Sequence, residues 1–203
     1  ASPRWTATEM WQRRAFLQAA GAGFAASLLP QRAAALESAE LLFATATQET
    51  PGRFGARILT ETGKLIANVD LPVRGHDVTY SPQAGRAVVF ARRPGTFAVV
   101  FDPAGQAAPV TIASVENRHF FGHGAFSPDG KLLYATENDF TAGQGVIGIY
   151  DVAGGYHRLG EMPTYGVGPH EALLLPGGKT FAVANGGIET HPDYGRAELN
   201  LDS

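Results

Sequence analysis

The sequence predicts an all-β protein, a β-propeller with four-stranded blades of about 47 residues. One observation is a recurring histidine: His76, His123 and His170 are separated by two gaps of 47 residues. A second is that an apolar run, a turn and another apolar run come after each histidine, which is the pattern of antiparallel strands. A third is the composition of those runs, in which the strand-forming residues Val, Ile, Phe and Tyr dominate.

Each repeat divides in the same way. The second strands are "RAVVFAR", "KLLYATE" and "KTFAVAN", and the third strands are "TFAVVFD", "GVIGIYD" and, at the end of the chain, "AELNLDS". Residues 41–72 fit the last three strands of a preceding blade. About three and a half blades are therefore expected. A ring of about seven would need further C-terminal blades, since an open ring leaves strand edges exposed.

Composition and charge exclude several classes of protein. The chain has 203 residues, a net charge of −3 and no basic run longer than Arg92-Arg93, so we expect no nucleic-acid partner. It has no cysteine, which excludes disulfides, cysteine-ligated metals and thiol catalysis within this chain. The sequence motifs of serine hydrolases, P-loop enzymes and HExxH proteases are absent as well, which favours a binding protein over an enzyme.

The N-terminal segment has the layout of an export signal. A twin arginine, Arg13-Arg14, precedes a mildly apolar stretch rich in Ala and Gly, which ends at Pro30 before small residues near Ala35. The stretch is too short and too rich in Ala and Gly to remain in a membrane. We therefore predict a periplasmic protein without stable membrane insertion. The chain divides into an upstream extension, a twin-arginine signal peptide and an incomplete propeller, over residues 1–9, 10–35 and 36–203.

The recurring histidines are the candidate site. In a propeller the first strand of each blade lines the central channel, so three histidines at its start form an arc around the channel mouth. Two of them are followed by a carboxylate, and the loops expected on the same face carry further polar side chains. Imidazole mixed with carboxylate favours one transition-metal ion, of iron, copper or zinc. The candidate metal ligands are His76, His123, His170 and Glu171, and the candidate ligand-binding residues are Asp77, Glu137, Asn138, Asp139, Asn185, Glu189, His191 and Asp193.

Other interpretations of these residues stay open. Repeats inherit residues from a common blade, so the histidines could hydrogen-bond within their blades and brace their neighbours, or act as a general acid or base. A lactonase-like hydrolase would use a divalent ion in the channel, and then Glu137, Asn138, Asn185 and Asp193 would matter more than the histidines. A plain protein-interaction platform would need no metal at all.

Several long motifs resemble one known family. "GHGAFSPDGKLLYATENDF", "GQGVIGIYDV", "GVGPHEALLLPGGKTFAVANGGIETHPDYGR" and "LNLDS" are similar to the DUF1513 family, and the resemblance covers residues 41–203. It implies an exported bacterial protein of unassigned function with a Tat-like signal and a seven-bladed, YVTN-like (WD40-like) propeller. Genes of the family often lie near those of periplasmic iron-handling proteins such as imelysin-like peptidases. The resemblance thus implies such proteins as partners, and iron as the metal of a periplasmic binding or accessory protein.

Overall fold

The propeller architecture is visible as consecutive antiparallel sheets. The structure, a computed structural model, describes residues 9–12, 28–103 and 107–201. Within these residues the strands form three four-stranded sheets and one two-stranded sheet, and each strand pairs with its neighbours in sequence. These are three blades and the first two strands of a fourth, so the predicted fold class is confirmed. No helix in the described part of the chain combines the length and the apolar character needed to cross a membrane.

The strands follow one another in chain order. Blade one contains β1 (Glu9–Gln12), β2 (Leu41–Thr50), β3 (Arg53–Thr60) and β4 (Leu65–Leu71). Blade two contains β5 (Gly75–Ser81), β6 (Arg86–Ala91), β7 (Phe97–Phe101) and β8 (Val110–Ala113). Blade three contains β9 (Arg118–Phe126), β10 (Leu132–Asp139), β11 (Gln144–Asp151) and β12 (His157–Pro163). Blade four contains β13 (Pro169–Leu174) and β14 (Phe181–Asn185). The helical elements are α1 (Pro30–Ser38) and a 3-10 turn (Pro192–Tyr194).

The prediction of a strand at "AELNLDS" is wrong over the described residues. Residues 197–198 are irregular and residues 199–201 form a turn instead of a third strand beside β14, and the final two residues lie outside the described chain. The N–H of Leu199 donates to the carbonyl of Glu189 at 3.0 Å, and Nδ2 of Asn200 donates to the carbonyl of Gly187 at 2.7 Å. These bonds tie the segment to the loop after β14, so alternating apolar residues alone were a misleading sign of a strand.

Blade two is buried on both faces, which explains its unbroken apolar runs. Along β6, Ala87 and Val89 belong to a hydrophobic cluster with blade one, whereas Val88 and Phe90 belong to a second cluster with blade three. All four side chains are at most 1 % exposed. Strand side chains alternate between faces, so a strand between two neighbours needs apolar residues at successive positions. Each buried Val or Phe contributes about 1.5–3 kcal/mol, and these contacts hold the blades together.

Helix α1 packs against the first blade. Pro30 suits its first turn, where an N–H would have no helical partner. Ala35 and Leu36 are 2 % and 1 % exposed and join the cluster between blades one and two. The predicted end of the signal peptide near Ala35 falls inside this helix, and its start falls in β1, which pairs with β2. Because Arg13-Arg14 lies outside the described residues, the signal peptide stays a prediction.

Candidate metal centre

Each recurring histidine lies at an irregularity in the innermost strand of its blade. In β5 the pairing with β6 shifts between Gly75 and Val78, around His76. In β9 the pairing with β10 shifts across His123, and in β13 the pairing with β14 shifts across His170. A bulge of this kind changes the direction in which a side chain points. Repeated in three adjacent blades, it turns three histidines toward one place.

The three imidazoles meet at short distances. Ring centroids are 4.8 Å apart for His76 and His123, 5.1 Å for His123 and His170, and 5.6 Å for His76 and His170. One nitrogen of each ring lies within 4.8 Å of the other two, close enough for the group to share a metal ion. His123 is buried, His76 is half-buried and His170 is exposed, so this histidine cluster opens to solvent on the side of blade four.

A glycine makes room for the ring of His76. Gly122 has a φ of +115°, and a Cβ at this position would overlap Cδ2 of His76. The sequence "GHG" in β9 therefore lets the backbone of blade three pass directly beside a ring from blade two. Thr136 fills the other side of the bulge. Its Oγ1 accepts from the N–H of His123 at 3.2 Å and donates to the carbonyl of His123 at 3.0 Å.

The two nitrogens of His123 have different surroundings. Nδ1 lies 3.4 Å from Oδ2 of Asp77 and 3.4 Å from Oε2 of Glu171, so two carboxylates flank it. Nε2 is buried and has no hydrogen-bond partner among the described residues. A carboxylate beside Nδ1 holds the proton on that nitrogen and leaves the lone pair of Nε2 free, as in many metal-binding histidines. Nε2 is therefore the atom of His123 that is available to a ligand.

Local charges and burial set the protonation of the cluster. Burial lowers the pKa of His76 to about 4, and the positive charges of its neighbours act in the same direction. Burial, together with the charge of His123, also lowers the pKa of His170. Burial opposes a charge on His123 itself, but the hydrogen bond and charge of Asp77 and the charge of Glu171 outweigh it and raise the pKa. A metal binds neutral imidazole, so the lowered pKa values of His76 and His170 favour metal binding, whereas the raised pKa of His123 makes a proton compete more strongly with the metal.

These residues fit a transition metal that accepts nitrogen ligands. Three imidazoles with carboxylates behind them suit zinc, copper, iron or nickel, whereas calcium and magnesium prefer shells of oxygen. Metal–nitrogen bonds are about 2.0–2.1 Å long, so nitrogens that share an ion are at most about 4.2 Å apart. The upper separation of 4.8 Å is slightly wider, and binding would draw the rings inward by a fraction of an ångström.

Comparison with known families identifies the chain. The family described as "Protein of unknown function (DUF1513)" matches residues 69–203, well over half of the chain. The chain belongs to the DUF1513 family. The matched region contains all three histidines and both carboxylates that flank His123. No curated protein matches the chain.

A solved structure has the same fold as this DUF1513 protein. Hydrazine synthase of Kuenenia stuttgartiensis superposes with a TM-score of 0.54 at 17 % sequence identity. The match covers 71 % of this chain and 52 % of the solved chain, so this chain spans about half the length of that structure. At this identity the likeness concerns the fold alone.

Glu137 does not join the histidines of the DUF1513 chain. Its carboxylate accepts hydrogen bonds from the hydroxyl of Tyr150 and from Nη2 of Arg158, the latter at 2.8 Å. Burial raises its pKa, against the opposing effects of Arg158 and Tyr150. The side chain is fully buried, at alternate positions of β10 with Leu133 and Ala135. That alternation in "LLYATEND" is the sequence signal from which its inward position could have been inferred.

Three more of the predicted ligand-binding residues bond to neighbouring loops. Asn138 accepts a hydrogen bond from a backbone N–H in the connection between β12 and β13, at 3.3 Å. Asp139 forms an ion pair with Nη1 of Arg118 at 2.8 Å. Asn185 accepts from a threonine hydroxyl before β13 at 2.8 Å. Asn138 and Asn185 therefore fix the connection before β13, Asp139 holds the start of β9, and none of these three bonds is made to the histidine cluster.

The remaining three lie in the loop after β14. Glu189 is held by its backbone carbonyl, which accepts from Leu199 at 3.0 Å. His191 packs its ring against Phe140 with centroids 4.3 Å apart, and its Nδ1 lies 3.7 Å from Oδ2 of Asp193. The loop covers part of blade three, and the structure does not bring these side chains into the histidine cluster.

Sequence reasoning overlooked the arginines that border the DUF1513 site. The loop between β6 and β7 carries Arg92 and Arg93, and the charge of Arg92 contributes to the lowered pKa of both His76 and His170. The signal was present in the sequence, since this arginine doublet lies in one of the loops expected at the channel mouth. Its meaning depends on the distance to histidines of other blades, which only the fold supplies.

Proposed function

We propose that this protein is an exported periplasmic binding or accessory protein whose channel mouth holds one transition-metal ion, with iron as the first candidate. The observation that carries the proposal is the histidine cluster, to which three blades contribute one imidazole each. The buried Nε2 of His123 has no partner among the described residues, whereas Asp77 and Glu171 flank its other nitrogen. A histidine that only braced its blade would use both nitrogens in hydrogen bonds.

The proposed roles follow from the surroundings of each side chain. His76, His123 and His170 would hold the ion, which would supply Lewis-acid or redox chemistry when bound. Asp77 would orient His123. Glu171, whose side chain is 45 % exposed, can stay behind His123 or approach the ion from solvent. Three protein ligands leave coordination positions open to a further ligand.

The sequence supports the remaining parts of the proposal. The twin-arginine motif at Arg13-Arg14 supports export to the periplasm. The resemblance to a family whose genes lie near those of periplasmic iron-handling proteins supports iron, and proteins of that kind are the proposed partners.

The metal content of the exported protein tests the proposal. The full-length protein, purified after export through its own signal, should contain about one transition-metal ion per chain by mass spectrometry. Substitution of His76, His123 and His170 by alanine should abolish the bound metal. Circular dichroism should show that this triple variant is still folded, because the blades are held together by their hydrophobic clusters.

His157→Ala is the matched control for that variant. This histidine is 57 % exposed at the start of β12, so its removal should leave the metal content unchanged. The proposal would be contradicted if the wild-type protein carried no metal and took up none from iron, copper or zinc salts. The histidines would then brace the blades of a protein-interaction platform.

No contact among the described residues favours the lactonase-like hydrolase. That enzyme would rely on Glu137, Asn138, Asn185 and Asp193 at a divalent ion. The oxygens of the first three accept hydrogen bonds from Arg158 and from the connection between β12 and β13, and Asp193 lies beside His191 instead.

A further inference from the structure

We propose that the metal reaches this site as an anionic complex with a small polycarboxylate, whose free carboxylates bind a cluster of arginines beside the histidines. The inference rests on the proposed metal centre and names the class of ligand that completes it. The arginine cluster consists of Arg74, Arg92, Arg93 and Arg196.

Backbone contacts bring the first members of the arginine cluster to the site. The N–H of Arg92 donates to the carbonyl of Arg74 at 3.0 Å, so the segment entering β5 and the segment leaving β6 lie side by side. The carbonyl of Gly95 accepts from the N–H of Phe120 at 2.7 Å, which fastens the loop after β6 to β9. The loop from blade two is thereby fixed against the strand that carries His123.

Arg93 is held by an aromatic ring that also contacts the histidine cluster. Its Cζ lies 5.3 Å from the centroid of the Phe121 ring, and that ring lies 6.5 Å from the ring of His170. Nη2 lies 3.7 Å from Oε1 of Glu198, and Nη1 is buried without a hydrogen-bond partner among the described residues. A guanidinium that is fixed in place and has unused donors suits a carboxylate, which can accept two parallel hydrogen bonds.

The arginine cluster carries more positive charge than its surroundings neutralise. Within the described chain, Glu198 forms an ion pair with Arg93, and Arg74, Arg92 and Arg196 form none. Burial lowers the pKa of Arg92, and the charges of Arg196, Arg74 and Arg93 lower it further, so the charges of these three arginines oppose a charge on Arg92. Like charges that a fold holds together favour the binding of an anion.

The two clusters would act on one ligand because they adjoin. A free metal cation approaching the histidines would be repelled by Arg92, whose charge acts on His76 and His170, and by Arg93, whose charge acts on His170. A metal enclosed by several carboxylates has a net negative charge, so the same arginines attract it. The imidazoles would take positions on the metal while the arginines bind carboxylate oxygens that the metal does not use. The species recognised is therefore the complex and not the bare ion.

Equilibrium dialysis of the full-length protein with radiolabelled citrate and Zn²⁺ tests the inference. Wild-type protein should retain citrate at least about tenfold more tightly with Zn²⁺ than without it, because the metal couples the two clusters. The double variant Arg92→Gln/Arg196→Gln should lose that gain. In citrate-free buffer the same variant should bind Zn²⁺ as tightly as wild type or more tightly, since a repulsive charge has been removed. Opposite effects on the ion and on its complex distinguish this result from general damage to the fold.

Lys131→Gln is the matched control for charge. Lys131 is 79 % exposed in the turn between β9 and β10, at the opposite end of β10 from the loop that follows it, and its loss should change neither measurement. Equal citrate retention in wild type and the double variant would overturn the inference. Retention of inorganic phosphate equal to that of citrate would overturn the assignment to carboxylates. Binding of Zn²⁺ with no effect of citrate would remove this inference alone, whereas failure to bind any of zinc, iron and copper would remove the proposed function and this inference with it.

Discussion

At the scale of single residues, Asp77 determines how His123 presents its ring. Its carboxylate lies 3.4 Å from Nδ1, which leaves Nε2, buried without a hydrogen-bond partner among the described residues, for a ligand. We expect Asp77→Asn to weaken metal binding about 10- to 100-fold without unfolding the protein, as is usual when the carboxylate behind a histidine ligand is lost. Competition with a chromophoric chelator measures the affinity.

The control for this prediction is a second Asp–His pair. Asp193 lies 3.7 Å from Nδ1 of His191, in the loop after β14. Asp193→Asn should leave the affinity unchanged. An Asp77→Asn protein that binds metal as tightly as this control would show that Asp77 does not orient a ligand.

The proton on His123 should make metal affinity depend on pH. Burial opposes its charge, yet Asp77 and Glu171 raise the pKa above the ordinary value of 6.5. Metal must displace that proton, so the affinity should increase as the pH rises through the raised pKa and should level off above it. Titration calorimetry in buffers of different ionisation enthalpy, from about pH 6 to about pH 8, counts the protons released.

Metal affinity should rise with pH, whereas the contribution of His123 to the free energy of unfolding of the metal-free protein should fall as the pH rises. A histidine with a raised pKa stabilises the fold fully below its unfolded pKa, and this contribution is lost as the pH rises through the folded value. An affinity that stays constant across the same range would contradict a protonated His123 in the metal-free protein.

At the scale of elements, the bulge in β9 links the backbone of one blade to a ring of another. Gly122→Ala should lower metal affinity by at least about tenfold, because its Cβ would displace the ring of His76, and should cost about 1–3 kcal/mol of stability through its positive φ. Gly52 is the matched control, since its φ is +83° and no atom lies within 4 Å of a Cβ built there. Gly52→Ala should lose stability and keep the affinity. Equal affinities in the two variants would show that Gly122 does not position His76.

The strands were predictable from the sequence, whereas the bulges were not. Runs such as "RAVVFA" and "FAVVF" are apolar at successive positions because β6 and β7 pack on two neighbours, and this pattern is visible without a structure. A bulge shifts pairing by one residue and leaves no comparable pattern in composition. The position of Glu137 was missed for a different reason, because its polarity was given more weight than its place in the alternation of β10.

At the scale of the whole molecule, helix α1 ties the N-terminal segment to the interface of blades one and two. Leu36 is 1 % exposed there, and Leu36→Ala should cost about 2–5 kcal/mol in urea unfolding of the unprocessed chain. Leu29, just before the helix, is 67 % exposed, and Leu29→Ala should change stability by less than about 0.5 kcal/mol. Similar small effects in both variants would mean that α1 does not pack on the blades.

Much of the candidate site could be predicted from the repeat alone. The 47-residue spacing is enough to place His76, His123 and His170 on adjacent inner strands, where the structure brings them together. The arginine cluster depends on pairs far apart in sequence, such as Arg93 and Glu198 at 3.7 Å, which no period indicates. The loops differ between blades and do not follow the repeat. The repeat therefore does not predict which residues they contact, and the structure is needed to find those contacts.

The origin of the three histidines in three blades has a mechanical consequence. In an array of repeats each unit contacts only its neighbours, and cohesion is a sum of nearest-neighbour terms. An ion held by His76, His123 and His170 would add metal–ligand bonds between blade two and blade four, which otherwise meet directly at the rings of His76 and His170 and at the ion pair of Arg93 and Glu198. The middle blade could then not detach without breaking those bonds. With the metal bound, blades two, three and four would unfold together as one cooperative unit instead of separating one at a time.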